Sequence, residues 1–184
     1  MHQDIIRDTF DCLRRCQDVE YDAGISLQAH LLQAAAFAIQ HEAPEHLIAA
    51  ALLHDLGQLF QRETPPPEDS EDEDMHEAMA AQWLRERFMD SVVEPVRLHV
   101  AAKRYLCATS PSYVEELTEA SRQRLGEQGG PMNQDEVRAF ELQPYYWEAV
   151  KLRSFDEMAR VKGMRTPELE RFRPYLMACM RPVR

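Results

Sequence analysis

The chain is poor in the residues that would mark several common classes of protein. Four cysteines in 184 residues (Cys12, Cys16, Cys107 and Cys179) are too few for a disulfide framework, and no two form a CxxC pair. A reducing cytoplasm fits that usage. Six glycines and 8 % aromatics leave no room for a fibrous or low-complexity composition. The longest purely apolar run, Leu47 to Leu53, has seven residues, far short of a membrane span. Residues 1–10 already hold Asp4, Arg7 and Asp8, so they contain no apolar leader segment. Positive charge is in deficit as well. Against 32 acidic side chains stand 21 basic ones, and a net charge of −11 repels nucleic acid and anionic membrane alike.

What is present is helical spacing almost throughout. Ile5, Ile6, Phe10, Leu13 and Cys16 recur at three and four, and Cys12 and Cys16 read as small buried hydrophobes. Ser26 is placed to cap a helix over residues 27–41, and Pro44 to open the next one at its first position, with Gly57 ending it. Further helices are expected over 75–88, over 93–106 with Pro95 in the first turn, and over 111–117 and 118–125. Others follow from 133 or 134 to 142, over 144–161 from Pro144, and from Pro167 onward, with a turn at 128–131. Period-2 alternation and internal repeats are almost absent. The expected fold is an all-α, compact helical bundle of one domain over residues 1–184.

Residues 62–74, RETPPPEDSEDED, carry three prolines and seven acids and read as a solvated acidic loop. Residues 151–184, expected to form basic C-terminal helices, hold nine basic and four acidic side chains. That net of +5 leaves −16 on residues 1–150.

Four of the seven histidines occupy one helix each: His30, His54, His76 and His99. His54 is followed at once by Asp55 and follows seven buried-looking residues. An aspartate buried there costs several kcal/mol unless something cationic offsets it. A metal ion does so well, and imidazole plus carboxylate suits iron, manganese or zinc better than calcium. Asp156, among Leu152, Phe155 and Ala159, is a second buried-looking carboxylate. Four histidines and two aspartates suffice for two metals if one carboxylate bridges them. His2, His41 and His46 lack such contexts and read as surface residues. Lys103 lies one turn after His99 and Arg153 one turn before Asp156, so each shares its neighbour's helix face. Two cations aimed at one site in so acidic a chain favour a small anionic substrate.

The order H…HD…H…H…D on helical segments resembles the HD-domain superfamily of metal-dependent enzymes. Within it, the chain is most similar to the mixed-valent di-iron oxygenases that cleave hydroxyphosphonates, and more distantly to myo-inositol oxygenase. The segments that carry the likeness are HLLQAA (30–35), AALLHDLG (50–57), HEAMAAQWL (76–84), VVEPVRLHVAAKRYLCA (92–108), EQGGPM (127–132) and LRSFDEMAR (152–160). The resemblance implies that His30, His54, Asp55 and Asp156 hold one iron. His76 and His99 would hold a second, with Asp55 bridging the two. It implies an Fe(II)/Fe(III) pair, O2 as co-substrate, hydrogen abstraction from the hydroxyl-bearing carbon, and C–P cleavage of a 1-hydroxyphosphonate. Lys103, Ser121 and Arg153 would bind the phosphonate, and Tyr21 would serve as a lid over the metals.

Three positions depart from the family pattern. Its Tyr-x-Gly-Glu motif aligns with Glu20 to Ala23, which puts Tyr21 one residue out of register and leaves Ala23 in place of the glutamate. Gln58 stands where the family has the second histidine of HDIGH. Arg124 replaces a small hydroxyl residue, so Gln58 and Arg124 would reshape the substrate pocket. Two other readings remain: a metal-dependent HD-domain phosphohydrolase acting on a small phosphate ester or nucleotide, and a binding protein with a degenerate HD site.

Overall fold

A computed structural model describes residues 2–22, 24–65 and 75–182. Helix α1 (His2–Arg15) buries Ile6, Phe10 and Leu13 on one stripe. A 3-10 turn (Cys16–Asp18) leads into a hairpin of β1 (Glu20–Asp22) and β2 (Ile25–Ser26), antiparallel, with Glu20 opposite Ser26. Gly24, at φ 77°, supplies the left-handed residue this tight turn needs. The sequence reading missed this hairpin, because strands of three and two residues are too short to display alternation.

Ser26 caps α2 (Leu27–Gln40) as expected, its hydroxyl accepting the Ala29 N–H at 3.2 Å. Helix α3 (Glu45–Leu53) is apolar on every side from Leu47 to Leu53 and runs through the core. Pro44 sits at its N-cap, one residue before the position expected. Gly57 does not end α3. The chain breaks at His54-Asp55, and Gly57 lies in the first turn of α4 (Leu56–Glu63), so the expected acidic loop begins after residue 63 and not at 62. Residues 66–74 of that loop lie outside the described residues.

Helices α5 (His76–Arg85) and α6 (Asp90–Thr109) follow. Pro95 is the sixth residue of α6 and not part of its first turn; the helix starts three residues earlier than expected. Next come α7 (Pro111–Glu116), α8 (Glu119–Glu127, capped by Thr118) and α9 (Gln134–Glu141), whose N-terminus is a capping box of Asn133 and Glu136. Helix α10 (Tyr146–Met158) starts two residues later than Pro144 suggested, because Tyr145 takes a left-handed conformation at φ 64°. After Pro167 the chain makes a 3-10 turn (Leu169–Phe172) before α11 (Arg173–Ala178).

The architecture is an all-α bundle. Helices α2, α3, α6 and α10 pack against one another at its centre, and α1, α4, α5 and α11 close around them. A smaller apolar cluster of Leu98, Ala102, Phe140, Ala149 and Val150 joins α6, α9 and α10. Among the described residues, no helix is long and apolar enough to cross a membrane. The C-terminal basic residues divide. Lys151, Lys162, Arg165, Arg171 and Arg173 face solvent, whereas Arg153 and Arg160 turn inward.

Candidate metal centre

The polar residues of the core converge where α2, α5, α6 and α10 meet the α3–α4 break. His30, in the first turn of α2, is completely buried. So is His54, at the last turn of α3. Their Nδ1 atoms lie 2.8 Å from the Ala159 carbonyl and 2.9 Å from the Ala51 carbonyl. A carbonyl only accepts, so both Nδ1 atoms carry a hydrogen, and it is the Nε2 atom of each neutral ring that can serve as a ligand. The two Nε2 atoms face each other at 3.1 Å. Asp156 Oδ1 lies 3.3 Å from His30 Nε2 and 3.8 Å from His54 Nε2, and Asp55 Oδ2 lies 3.7 and 3.5 Å from them.

A second set lies beside the first. His76 opens α5 and His99 sits in mid-α6, with its Nδ1 held by the Val96 carbonyl at 2.6 Å. The two Nε2 atoms are 3.2 Å apart, and Asp55 Oδ1 lies 3.2 Å from His76 Nε2 and 3.3 Å from His99 Nε2. Asp55 therefore turns one oxygen to each histidine pair. The break at the α3–α4 junction makes this possible: it frees Asp55 from helical direction, so adjacent His54 and Asp55 both point inward.

A cation would relieve the repulsion among electron-rich atoms packed this closely. Asp55 Oδ1 is fully buried and has no hydrogen-bond partner among the described residues. Metal bonds of ~2.1 Å to nitrogen and oxygen would hold donors ~3.0 to 3.4 Å apart at octahedral or tetrahedral angles, close to the spacings above. The two carboxylates are ionised, as ligands must be, and against the opposing effect of burial they raise the His54 pKa, as a bound metal ion would not. Burial alone would raise the Asp55 pKa, but His54, His76 and His99 outweigh it and hold the carboxyl well below its usual range. Burial likewise opposes ionisation of Asp156, and Arg153, His30 and His54 overcome it. Five of the six expected residues meet in two groups that could hold metal ions, His30, His54 and Asp55 in one and Asp55, His76 and His99 in the other, and Asp156 lies beside the first with Oδ1 3.3 Å from His30 Nε2.

Asp55, His76, His99 and Asp156 line a cavity of about 420 Å³, with His30 and His54 behind them. Tyr21, Gln58, Lys103, Ser121, Arg124 and Arg153 all line it. Tyr21 reaches the site from β1 despite its register. Its ring stacks on His30 at 3.7 Å, and its hydroxyl donates to Asp156 Oδ1 at 3.3 Å. Burial, with Asp156 and Asp55 nearby, pushes its phenol pKa well up, so it stays a neutral donor. Ala23, the expected partner position, lies outside the described residues. Gln58 donates to Asp55 Oδ2 at 2.7 Å and so orients the shared carboxylate. Lys103 is buried and makes no hydrogen bond or ion pair among the described residues. Burial, reinforced by Arg153, lowers its pKa to about 8. Arg124 is exposed at the rim and equally unpaired. Arg153 is committed within the protein: Nε to the Tyr113 hydroxyl at 2.9 Å, Nη1 to Asp156 Oδ2 at 2.5 Å, and Nη2 to Glu157. Sequence reasoning missed Arg160. It follows α10, lines the cavity, and donates to Ser121 Oγ at 3.0 Å. The signal available was its spacing of four residues from Asp156.

Fold and site together define an all-α bundle with a buried histidine–aspartate donor set facing a cationic pocket. The chain is 39 % identical over 150 residues to the glycine-betaine-forming 1-hydroxy-2-(trimethylamino)ethylphosphonate dioxygenase of Leisingera caerulea, covering 82 % of this chain and 76 % of that one. It is 38 % identical over 161 residues to the hydroxymethylphosphonate dioxygenase of Gimesia maris, covering 87 % and 80 %. An uncharacterized protein of Acanthamoeba polyphaga mimivirus is 33 % identical over 146 residues, 78 % of this chain and 67 % of its own. No family model matches the chain. The chain belongs to the phosphonate dioxygenase family. As a member it is an oxygenase, an enzyme that uses O2 and a metal.

Proposed function

We propose that this protein is an HD-domain di-iron dioxygenase of a single domain that cleaves the C–P bond of a small 1-hydroxyphosphonate in the cytoplasm. The observation that carries the reading is the Asp55 carboxylate, with Oδ2 toward His30 and His54 and Oδ1 toward His76 and His99. In this reading His30, His54, Asp55 and Asp156 hold one iron, and Asp55, His76 and His99 hold the other. An Fe(II)/Fe(III) pair would supply the one-electron chemistry that engages O2 and draws hydrogen from the hydroxyl-bearing carbon. The second group has fewer protein donors, which leaves room there for the substrate's own oxygens.

The remaining roles belong to the chain. Lys103 and the Ser121 hydroxyl neutralise and orient the phosphonate, and Arg124 adds positive charge at the rim. Arg153 fixes Asp156 through Nη1. Tyr21 covers His30 and excludes water from that end of the pocket. Dioxygenation puts one oxygen on carbon and one on phosphorus, so hydroxymethylphosphonate would leave as formate and inorganic phosphate.

The test pairs a spectrum with a product. Iron-loaded, partly reduced protein is expected to show the electron paramagnetic resonance signal of a coupled Fe(II)/Fe(III) pair. It is also expected to release phosphate from hydroxymethylphosphonate only when O2 is present. Phosphate release from a phosphate ester without O2, and no such signal, would move the chain to the phosphohydrolases.

A further inference from the structure

A histidine that offers Nε2 to a metal is aimed by what its Nδ1 meets, and here His30 differs from its neighbours. His54 and His99 donate to the carbonyls of Ala51 and Val96, each three residues back in the chain. Those acceptors travel with the helix that carries the ring. His30 instead reaches the Ala159 carbonyl at 2.8 Å, 129 residues away. Ala159 is the residue at which α10 ends, and residues 160–168 form neither helix nor strand. The orientation of His30 is therefore fixed only as firmly as this strap is held.

Gln33 holds it. The residue lies one turn after His30 on α2, so the two side chains share a face, and it is 2 % exposed. Its amide grips Val161 from both sides. Nε2 donates to the Val161 carbonyl at 2.8 Å, and Oε1 accepts the Val161 N–H at 2.9 Å. With the His30 bond, three hydrogen bonds join this face of α2 to residues 159–161. The Val161 side chain is exposed and adds little packing of its own. At this length, an amide is the side chain that donates and accepts together at neutral pH. The strap then passes over the hairpin, where a Cβ on Gly24 would stand 3.0 Å from Cε and Nζ of Lys162. The hairpin carries Tyr21, whose ring stacks on His30.

The geometry points to Gln33 as a positioning residue for His30. By clamping Val161 it fixes the Ala159 carbonyl, and that carbonyl sets the angle at which His30 Nε2 faces His54, Asp55 and Asp156. This rests on the reading above that His30 is a metal ligand. The second group does not depend on the clamp, since His99 takes its acceptor from its own helix and Asp55 is aimed by the α3–α4 break. Loss of the clamp therefore loosens one metal of the pair and spares the other. Outer partners that orient a ligating histidine typically contribute about 10- to 100-fold in metal affinity.

The experiment compares wild type with Gln33→Met, which keeps the length of the side chain and loses both hydrogen bonds. Zinc-loaded protein is diamagnetic, so the Nδ1 protons of the buried histidines are followed by nuclear magnetic resonance. The His30 proton is expected to exchange with solvent faster in the variant, while those of His54 and His99 keep their wild-type rates. Anaerobic Fe(II) titration against a competing chelator is expected to show one site weakened roughly 10- to 100-fold and the other unchanged. Gln33→Glu keeps the acceptor for the Val161 N–H and is expected to recover part of both signals. An unaltered His30 proton with wild-type affinity at both sites overturns the assignment. So does an equal loss at all three histidines and both sites, which would make Gln33 a packing residue. If Gln33→Met does not fold, Gln33→Glu, with one bond lost, carries the same comparison at smaller amplitude. Failure of the metal reading looks different: His30→Ala alone would then bind as much Fe(II) as wild type, whatever the Gln33 variants do.

Discussion

Gly57 and His76 are packed so closely that a Cβ on the glycine would stand 1.7 Å from the histidine's carbonyl oxygen. The glycine is therefore a matter of contact and not of dihedral freedom: α4 begins against the first turn of α5. That contact sets how near Asp55, which caps α4, comes to His76. Gly57→Ala would force the two helices apart. Overpacking of this kind costs about 2 kcal/mol, a fall of roughly 4–8 °C in Tm for a chain of this size. Because the movement separates Asp55 from His76, iron per chain is expected to drop as well. A variant with wild-type Tm and iron content would show that the contact relaxes without cost.

Asp55 is the residue on which the pairing of the two groups depends, since each of its oxygens serves a different histidine pair. Asp55→Asn keeps the volume but turns one oxygen into a donor, which cannot be a ligand and would face lone pairs. Iron per chain is expected to fall nearly to zero, measured by metal analysis after anaerobic loading. Retention of half the wild-type iron would mean that Asp55 serves one group alone.

How much of this could be read from the sequence follows the range of the interactions. Ser26 as a cap, and the helices on either side of it, depend on neighbours three or four residues away and were legible. The six clustered histidines and aspartates were legible for a different reason: a charged pair after LIAAALL has no inexpensive explanation other than a site. The hairpin at 20–26 was too short to have a pattern. Gly57 looked like a helix stop because its true neighbour, His76, is nineteen positions away along the chain. Arg160 was invisible for the same reason. Its partners, Ser121 and Tyr21, are 39 and 139 residues distant, and its spacing of four from Asp156 was the one local mark setting it apart from the solvent-facing basic residues around it.

Lys103 sets the pH range in which the pocket binds anions. Burial, helped by the Arg153 charge, brings its pKa down to about 8, so the ammonium is present below that pH and lost above it. The kcat/KM for a hydroxyphosphonate is expected to fall above about pH 8. Lys103→Arg, which stays charged, should move that descending limb upward even if the maximum is lower. Stability runs in the opposite sense. Between about pH 8 and the ordinary lysine value of 10.5 the unfolded chain holds more protons here than the folded one, so this residue's contribution to stability rises with pH across that window. A descending limb that Lys103→Arg leaves in place would assign it to another group.

Substitution of Arg153 separates a role in holding Asp156 from a role in holding the anion. Arg153 and Asp156 are both buried and joined at 2.5 Å. Removing one member of such a pair leaves the other without its counter-charge, at a cost of about 3–5 kcal/mol, or roughly 6–20 °C in Tm here. Arg153→Ala is therefore expected to lower Tm strongly and to lose iron from the group that includes Asp156. Methylphosphonate affinity per loaded site should hold. Arg153→Lys, which keeps a charge but cannot reach Tyr113, Asp156 and Glu157 together, should recover part of the Tm. The reverse pattern, normal Tm and iron with weakened methylphosphonate binding, would make Arg153 the anion's own ligand and its bond to Asp156 a feature of the empty pocket.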